Sequence, residues 1–213
     1  MSDPSLHAYY AARAAEYDRV YAKPERQHDL RAIERWLPTV FGGKSVLEVA
    51  CGTGYWTRLL APVATRVLAL DAVPQTLAIA RQRVAAPRVE FVEGDAWRLP
   101  PVRCQAAFAG FWMSHVPRTR IPAFLEGLHA CLAPGAVVVF LDNRYVAGSS
   151  TPLAGQDDDG NTYQLRRLEG GGEYRVLKNF PCEAEARSWV AGRTRALRWH
   201  EWPYYWALEY VLA

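Results

Sequence analysis

The order of apolar and amphipathic segments predicts an α/β fold. The expected architecture is a three-layer sandwich, with a mostly parallel sheet, helices on both faces and one antiparallel strand late in the chain. Two observations carry this. Short apolar runs at 45–50, 66–72, 89–95, 105–113 and 136–142 have the length of buried strands, and segments of helical periodicity separate most of them. The first run also leads straight into Cys51-Gly52-Thr53-Gly54, a turn that lets a strand pass tightly into a helix.

The first 40 residues read as two helices. Residues 6–21 are alanine-rich, with tyrosines at 9, 10, 17 and 21; Pro24 then breaks the pattern. Leu30, Ile33 and Leu37 form the stripe of a second helix, which Gly42-Gly43 ends. Residues 55–62 are expected to be helical. Pro74 opens a helix with Leu77, Ala80 and Val84 on one face. Another helix presents Ile121, Phe124, Leu125, Leu128 and Leu132 and closes at Pro134-Gly135. After residue 143 the pattern changes. Residues 148–162 read as a polar loop, and 162–180 as a hairpin turning at Gly170-Gly171-Gly172. Residues 182–190 are expected to be helical. Alternation of Trp206, Leu208, Tyr210 and Leu212 with their neighbours predicts a final antiparallel strand. Residues 1–213 are thus expected to form one domain, divided at 1–40, 41–143, 144–181 and 182–213.

Composition narrows the function. The 213 residues are 50% hydrophobic and 22% charged, with a net charge of +3, which fits a folded domain. No block of like charges is present, so no nucleic-acid partner is expected. The apolar runs 106–113 and 136–141 are too short for a membrane span. No apolar signal core follows the initial Met, so a cytoplasmic location is expected. Cys51, Cys104, Cys131 and Cys182 are scattered without metal-ligand spacing and read as reduced core thiols. Asp157-Asp158-Asp159 lacks the alternation of a calcium loop and reads as a solvated turn, so no metal is expected.

The glycine turn is the most informative stretch. Gly52 and Gly54 allow close approach of a ligand to the backbone, near the free N–H groups of a helix start. The third glycine of a dinucleotide fingerprint is missing, since Thr57 stands there. Two acids give the turn its context. Glu48 lies four residues before Gly52, and Asp71 lies 17 residues after Gly54 at the end of the next strand, where a carboxylate can accept the hydroxyls of a ribose. Gly94-Asp95-Ala96 ends the third strand, where an adenine edge would lie.

LEVACGTG (47–54), LALDA (68–72), EGDAW (93–97) and FAGFWMSHVP (108–117) together resemble the class I S-adenosylmethionine-dependent methyltransferases. The resemblance runs from residue 5 to 213. It implies a Rossmann-like, seven-stranded sheet with a helical lid over 1–40 and a hairpin inserted at 144–181. It also implies S-adenosylmethionine as cofactor, with the turn of Ala50, Cys51, Gly52 and Gly54 behind the methionine part and Glu48 beneath it. Asp71 and Ala72 are placed at the ribose, Asp95 and Ala96 at the adenine, and Phe111 beside the methionine amino group. Tyr10, Arg13 or Tyr17 of the lid would reach the methionine carboxylate. Trp56 and Trp97 are either cofactor contacts or core residues.

YYAARAAEYD, CGTGYWTR, FWMSHVP and YRVLKNF are further similar to a group of phosphonate O-methyltransferases. That likeness implies a small acidic or polar acceptor, held by Tyr21, Trp112, His115, Arg166 and Lys178. Pro24 stands where that group carries a tyrosine, and Tyr21 is the substitute. Arg166 and Arg167 point to opposite faces of a strand, so one of them at most faces a pocket. His115 is either the general base or a structural histidine, and the hairpin cations are either an anion clamp or a solvated face. Methylation of a quinone, phenol or amine, a non-catalytic binding module and an NAD oxidoreductase are the competing readings. The oligomeric state, monomer or homodimer, is open.

Overall fold

A computed structural model describes residues 4–168 and 171–213. The chain begins with helix α1 (Pro4–Arg13), continues as a 3-10 helix (Ala14–Tyr21), and reaches α2 (Gln27–Phe41) through a short 3-10 turn (Pro24–Arg26). Strand β1 (Ser45–Val49) and the one-turn helix α3 (Thr57–Leu60) flank the glycine turn. There follow β2 (Arg66–Asp71), α4 (Pro74–Arg83), β3 (Val89–Glu93), β4 (Cys104–Gly110), α5 (Ile121–Ala130) and β5 (Leu132–Asn143). Strands β6 (Leu153–Gln156), β7 (Thr162–Arg167) and β8 (Glu173–Leu177) precede α6 (Glu183–Trp189), β9 (Thr194–Glu201) and β10 (Tyr205–Leu212).

The main sheet has seven strands in the order β3-β2-β1-β4-β5-β10-β9. Strands β1 to β5 pair in parallel, and β10 runs antiparallel to both β5 and β9. β10 is therefore the single reversed strand, as expected. Each face carries a core. On one, Leu30, Ile33, Leu37 and Phe41 of α2 pack over Val46, Val67 and Phe108. On the other, Ile121, Phe124, Leu125 and Leu128 of α5 pack with Leu47, Val138 and Phe140. Strands β6, β7 and β8 form a separate antiparallel sheet, and β8 lies against α1. The strand order reverses beside β1, so the carboxyl ends of β1 and β4 open the crevice where ligands bind in such sheets.

Several expectations need correction. The first helix tightens to 3-10 geometry after Arg13. The helix after the glycine turn is only one turn long, because the turn occupies its start and Pro62 blocks continuation. Helix α5 stops at Ala130, and Leu132, Pro134 and Gly135 belong to β5. There Cys104 pairs with Leu132 but Ala106 with Val137, so a bulge absorbs the Pro-Gly pair. The expected loop at 148–162 contains β6, whose residues are all exposed and so show no burial pattern. The C-terminal tail supplies two strands, β9 and β10, where the alternation had marked one. Cys182 is exposed, unlike the other three thiols. Gly170 of the proposed hairpin turn lies outside the described residues. Among the described residues no helix is long and apolar enough to cross a membrane.

Candidate active site

Two adjoining chambers lie at the carboxyl ends of β1 and β4, beneath the N-terminal segment. The first is built largely by the backbone. Ala50 and Phe111, which directly follow β1 and β4, both have positive φ, +55° and +60°. Such conformations cost non-glycine residues about 1–3 kcal/mol each. Neighbouring hydrogen bonds hold them: Cys51 N to Leu70 O at 3.0 Å and Phe111 N to Leu141 O at 2.7 Å. Gly52 and Gly54 have φ of +56° and +75°, and a Cβ on Gly54 would sit 3.1 Å from Ala80 Cα. Glycine at 54 thus brings the turn against α4.

Asp71 ties this turn to the next strand. Its Oδ2 accepts from Gly52 N at 2.8 Å, and its Oδ1 from Val73 N at 2.9 Å and Thr76 Oγ1 at 3.1 Å. Burial raises its pKa, and those same hydrogen bonds oppose the rise. Ala50, Gly52, Asp71, Ala72, Asp95 and Ala96 all line the first chamber. The N-terminal segment closes it with Leu6, His7, Tyr10 and Tyr17, and Phe111, Trp112 and His115 complete it. Asp95 accepts from Trp97 N at 3.0 Å, which fixes the turn after β3.

Glu48 lies under the glycine turn, 1% exposed. Its Oε2 has no hydrogen-bond partner. Burial, reinforced by the Asp71 charge, pushes its pKa up to about 8, so Glu48 is mostly protonated at neutral pH. Cys51 is buried beside it, and burial pushes its thiol well up.

The second chamber is built from side chains. Arg13, Lys23, Arg26, Arg166 and Lys178 line it, with Asn143, Ser149 and Gln164. Tyr10, Tyr17, Phe111 and His115 line both chambers and form their shared wall. Arg13 donates to Tyr9 Oη at 2.6 Å. Arg166 donates to Gln164 Oε1 at 2.8 Å and reaches the same Tyr9 Oη at 3.5 Å. Arg26, 5% exposed, donates to Ser149 Oγ and Asn143 Oδ1, each at 2.9 Å. Among the described residues, Arg13, Arg26 and Arg166 have no carboxylate partner at ion-pair distance. Arg167, largely exposed and paired with Glu173, also borders the second chamber, so both arginines of β7 touch it rather than one at most.

Lys178 is differently placed. Its Nζ is buried, donates to Asp142 Oδ1 at 2.9 Å and also bonds Ser114 Oγ. Asp142 is fully buried and takes Ser114 N on its other oxygen at 3.0 Å. Burial lowers the Lys178 pKa, Asp142 opposes this, and the charges of Arg166 and Arg26 both add to the lowering.

His115 has a defined tautomer. Nδ1 lies 2.7 Å from Leu177 O, which can only accept, so Nδ1 carries the hydrogen. Burial, then the Lys178 and Arg166 charges, hold its pKa well below the usual value. Nε2 is therefore a lone pair, and it accepts from Tyr10 Oη at 2.8 Å. Burial raises the Tyr10 pKa to about 12, so the phenol keeps its proton.

Several expected contacts lie elsewhere, among them Arg13, expected at the cofactor, which lines the second chamber and not the first. Trp56 sits in the core against Phe108 and Phe111, with Nε1 unpartnered. Trp97 packs on Trp112 and Phe124 under the Arg120 guanidinium. Tyr21 does not line the second chamber, because its ring is stacked between Tyr55 and Phe111. Trp112, expected at the acceptor, lines the first chamber. Among the described residues no arginine pairs with Glu48. The sequence reading missed His7, Thr76, Tyr9, Arg26, Ser149 and Gln164. Only Arg26 had a local signal, beside Pro24 at a helix start. Among the described residues no cluster of His, Cys, Asp or Glu is placed to hold a metal. Asp157 instead accepts from Asn161 and Tyr163 within its turn.

The first chamber suits a nucleoside joined to a cationic sulfonium. Positive-φ backbone leaves room at the turn, carboxylates stand at Asp71 and Asp95, and aromatic faces close the far end. The chain belongs to the class I S-adenosylmethionine-dependent methyltransferases. The family described as Methyltransferase domain matches residues 46–135. The chain is similar to DhpI over nearly its whole length. It is 31% identical to the DhpI–SAH complex, with a TM-score of 0.80 over 98% of this chain and 96% of that one. For the DhpI–SAM–HEP complex the values are 30% and 0.81, over 99% of each chain. A probable S-adenosylmethionine-dependent methyltransferase of Mycolicibacterium smegmatis is 45% identical over 147 residues, 67% of this chain and 53% of that protein. The malonyl-[acyl-carrier protein] O-methyltransferase of Serratia marcescens is 33% identical over 126 residues, 57% of this chain and 47% of that protein. The chain spans about half the length of the curated relatives it matches.

Proposed function

We propose that the protein methylates an oxygen of a small anionic acceptor of the phosphonate or carboxylate class, with S-adenosylmethionine as donor. The observation that carries this is the second chamber's excess of cations: Glu16 also lines it but is paired with Arg19. Arginine stays protonated in proteins, and a buried charge without a counter-charge is costly. Arg166 and Arg26 bond only neutral oxygens there, next to the wall shared with the first chamber. The likeness to DhpI along the whole chain adds support.

Bound S-adenosylmethionine supplies an electrophilic methyl: the acceptor oxygen's lone pair forms the C–O bond while the S–C bond breaks, its electrons going to sulfur to give neutral S-adenosylhomocysteine. The residues of this chain align and shield that exchange. Asp71 and Asp95 hold the nucleoside, and the strained turn at Ala50 and Gly52 receives the methionine part. Arg13, with Tyr10 and Tyr17, takes the methionine carboxylate. Arg166 orients the acceptor's anionic group toward the wall of Tyr10, Phe111 and His115. An acceptor that is already an anion needs no base. His115 accordingly positions Tyr10 through Nε2 instead of removing a proton. Lys178 is neutralised by Asp142 and fixes the chamber floor. Alignment of this kind can supply ~7–11 kcal/mol of a barrier.

The test is release of S-adenosylhomocysteine across alkylphosphonates and carboxylates, each paired with its neutral ester or amide, beside phenols, quinones and amines. Turnover of the anions and not of their neutral partners is expected. Turnover confined to phenols, quinones or amines would overturn the reading.

A further inference from the structure

The cations of the second chamber stand in two groups, and this bears on what the acceptor looks like at its other end. Arg166 and Arg13 share Tyr9 Oη and belong to β7 and α1. Arg26 stands apart, at the start of α2. Its guanidinium lies 5.2 Å and 5.7 Å from the ring centroids of Tyr204 and Tyr205 and is fixed by Ser149 Oγ and Asn143 Oδ1. The buried Lys178–Asp142 pair feels the charge of both groups. Two acids stand one residue beyond these partners: Glu25, which accepts from Ser149 Oγ at 2.7 Å, and Asp142, which accepts from Asn143 Nδ2 at 3.3 Å and is paired with Lys178; neither lines the chamber. Arg26 is thus held rigidly, 5% exposed, by neutral partners on an aromatic face. A guanidinium so fixed is pre-organised for a planar anion.

We infer that Arg26 is a second anion subsite, so that the acceptor carries two anionic groups: one near Arg166 that is methylated, and a distal carboxylate or phosphonate held by Arg26. This rests on the proposed methyl transfer to an anionic acceptor and adds its specificity. A purely structural Arg26 would tether the Ser149 turn and leave acceptor choice unchanged.

The experiment compares initial rates for alkylphosphonates that bear a terminal carboxylate with the same compounds as terminal amides, over several spacer lengths. Wild type, Arg26→Gln and Arg26→Lys are measured. Gln keeps a donor toward Ser149 and Asn143 but removes the charge. For the spacer that fits, wild type should favour the carboxylate by about 10- to 100-fold in kcat/KM, the range of a charge-assisted hydrogen bond, chiefly through KM. Arg26→Gln should erase that preference by lowering the carboxylate's kcat/KM toward that of the amide, and Arg26→Lys should retain part of it. Equal use of carboxylate and amide by wild type at every spacer would overturn the inference and leave the methyltransferase reading standing. So would an Arg26→Gln variant that loses both substrates in equal measure. No turnover of any phosphonate or carboxylate would instead refute the reading on which the inference rests.

Discussion

The two chambers share a wall but are built by opposite means. The first is backbone: the ends of β1 and β4 at Ala50 and Phe111, the turn at Gly52 and Gly54, and Asp71 bonded to main-chain N–H groups. The second is side chains from the N-terminal segment, the region after β5, and the β7–β8 pair. Backbone geometry suits a ligand that does not change, such as a common methyl donor. Side chains on added segments can be exchanged without disturbing the sheet, which suits an acceptor that differs between relatives. The N-terminal segment joins the two. Asp18 accepts from Thr53 Oγ1 at 2.6 Å and pairs with Arg83, and Tyr10 bonds His115, so it is fastened to the glycine turn on one side and to the wall on the other.

Substitutions should separate the chambers. The largest effect is expected at Lys178. Lys178→Ala leaves the fully buried Asp142 without its counter-charge, and breaking such a pair costs about 3–5 kcal/mol of stability. Adding Asp142→Asn should recover part of the loss. Urea unfolding checks both, and a Lys178→Ala protein as stable as wild type would show that the pair is not the chamber floor. Next is Asp71→Ala, which removes three hydrogen bonds at the turn. Calorimetry should find S-adenosylhomocysteine binding weakened by about 1–3 kcal/mol, and unchanged affinity would break the account of the first chamber.

Per pH unit, the smallest effect concerns Glu48. Its folded pKa of about 8 exceeds the ordinary value of 4.5, so the folded state holds a proton that the unfolded state releases. The sign follows: Glu48 favours the fold fully below pH 4.5, and this contribution declines as pH rises to about 8. Glu48→Gln should therefore gain stability over wild type across that window, by at most about 1.4 kcal/mol per pH unit. Thermal unfolding from acid to alkaline pH reads it, and a constant difference would mean that Glu48 is ionised in the fold. His115 works in the opposite sense. Its lowered pKa makes stability fall as pH drops below about 6.5.

The first chamber was legible in the sequence because its chemistry is local. Strand, glycine turn and acid recur at fixed spacing, so Gly52, Asp71 and Asp95 could be placed at one crevice. The parallel sheet followed from the strand–helix alternation, and the reversed strand from the alternation of Trp206, Leu208, Tyr210 and Leu212; the strand order did not. The second chamber was only partly legible. Arg166 was identified, but the Lys178 partner Asp142 lies 36 residues away in the chain, and no local pattern announces it. Arg26 meets Ser149 across 123 residues, and Tyr10 meets His115 across 105. Strand β6 escaped because an exposed edge strand needs no apolar alternation. Trp56 and Trp97 follow ligand turns in sequence, yet the turns direct their rings into the two cores.

The division of labour is tested most directly by one variant read twice. Arg166→Gln should raise the KM of an anionic acceptor by about 10- to 100-fold, while the Kd for S-adenosylmethionine stays at the wild-type value. If cofactor Kd and acceptor KM instead rise together, Arg166 serves both ligands and the two chambers are not separate sites.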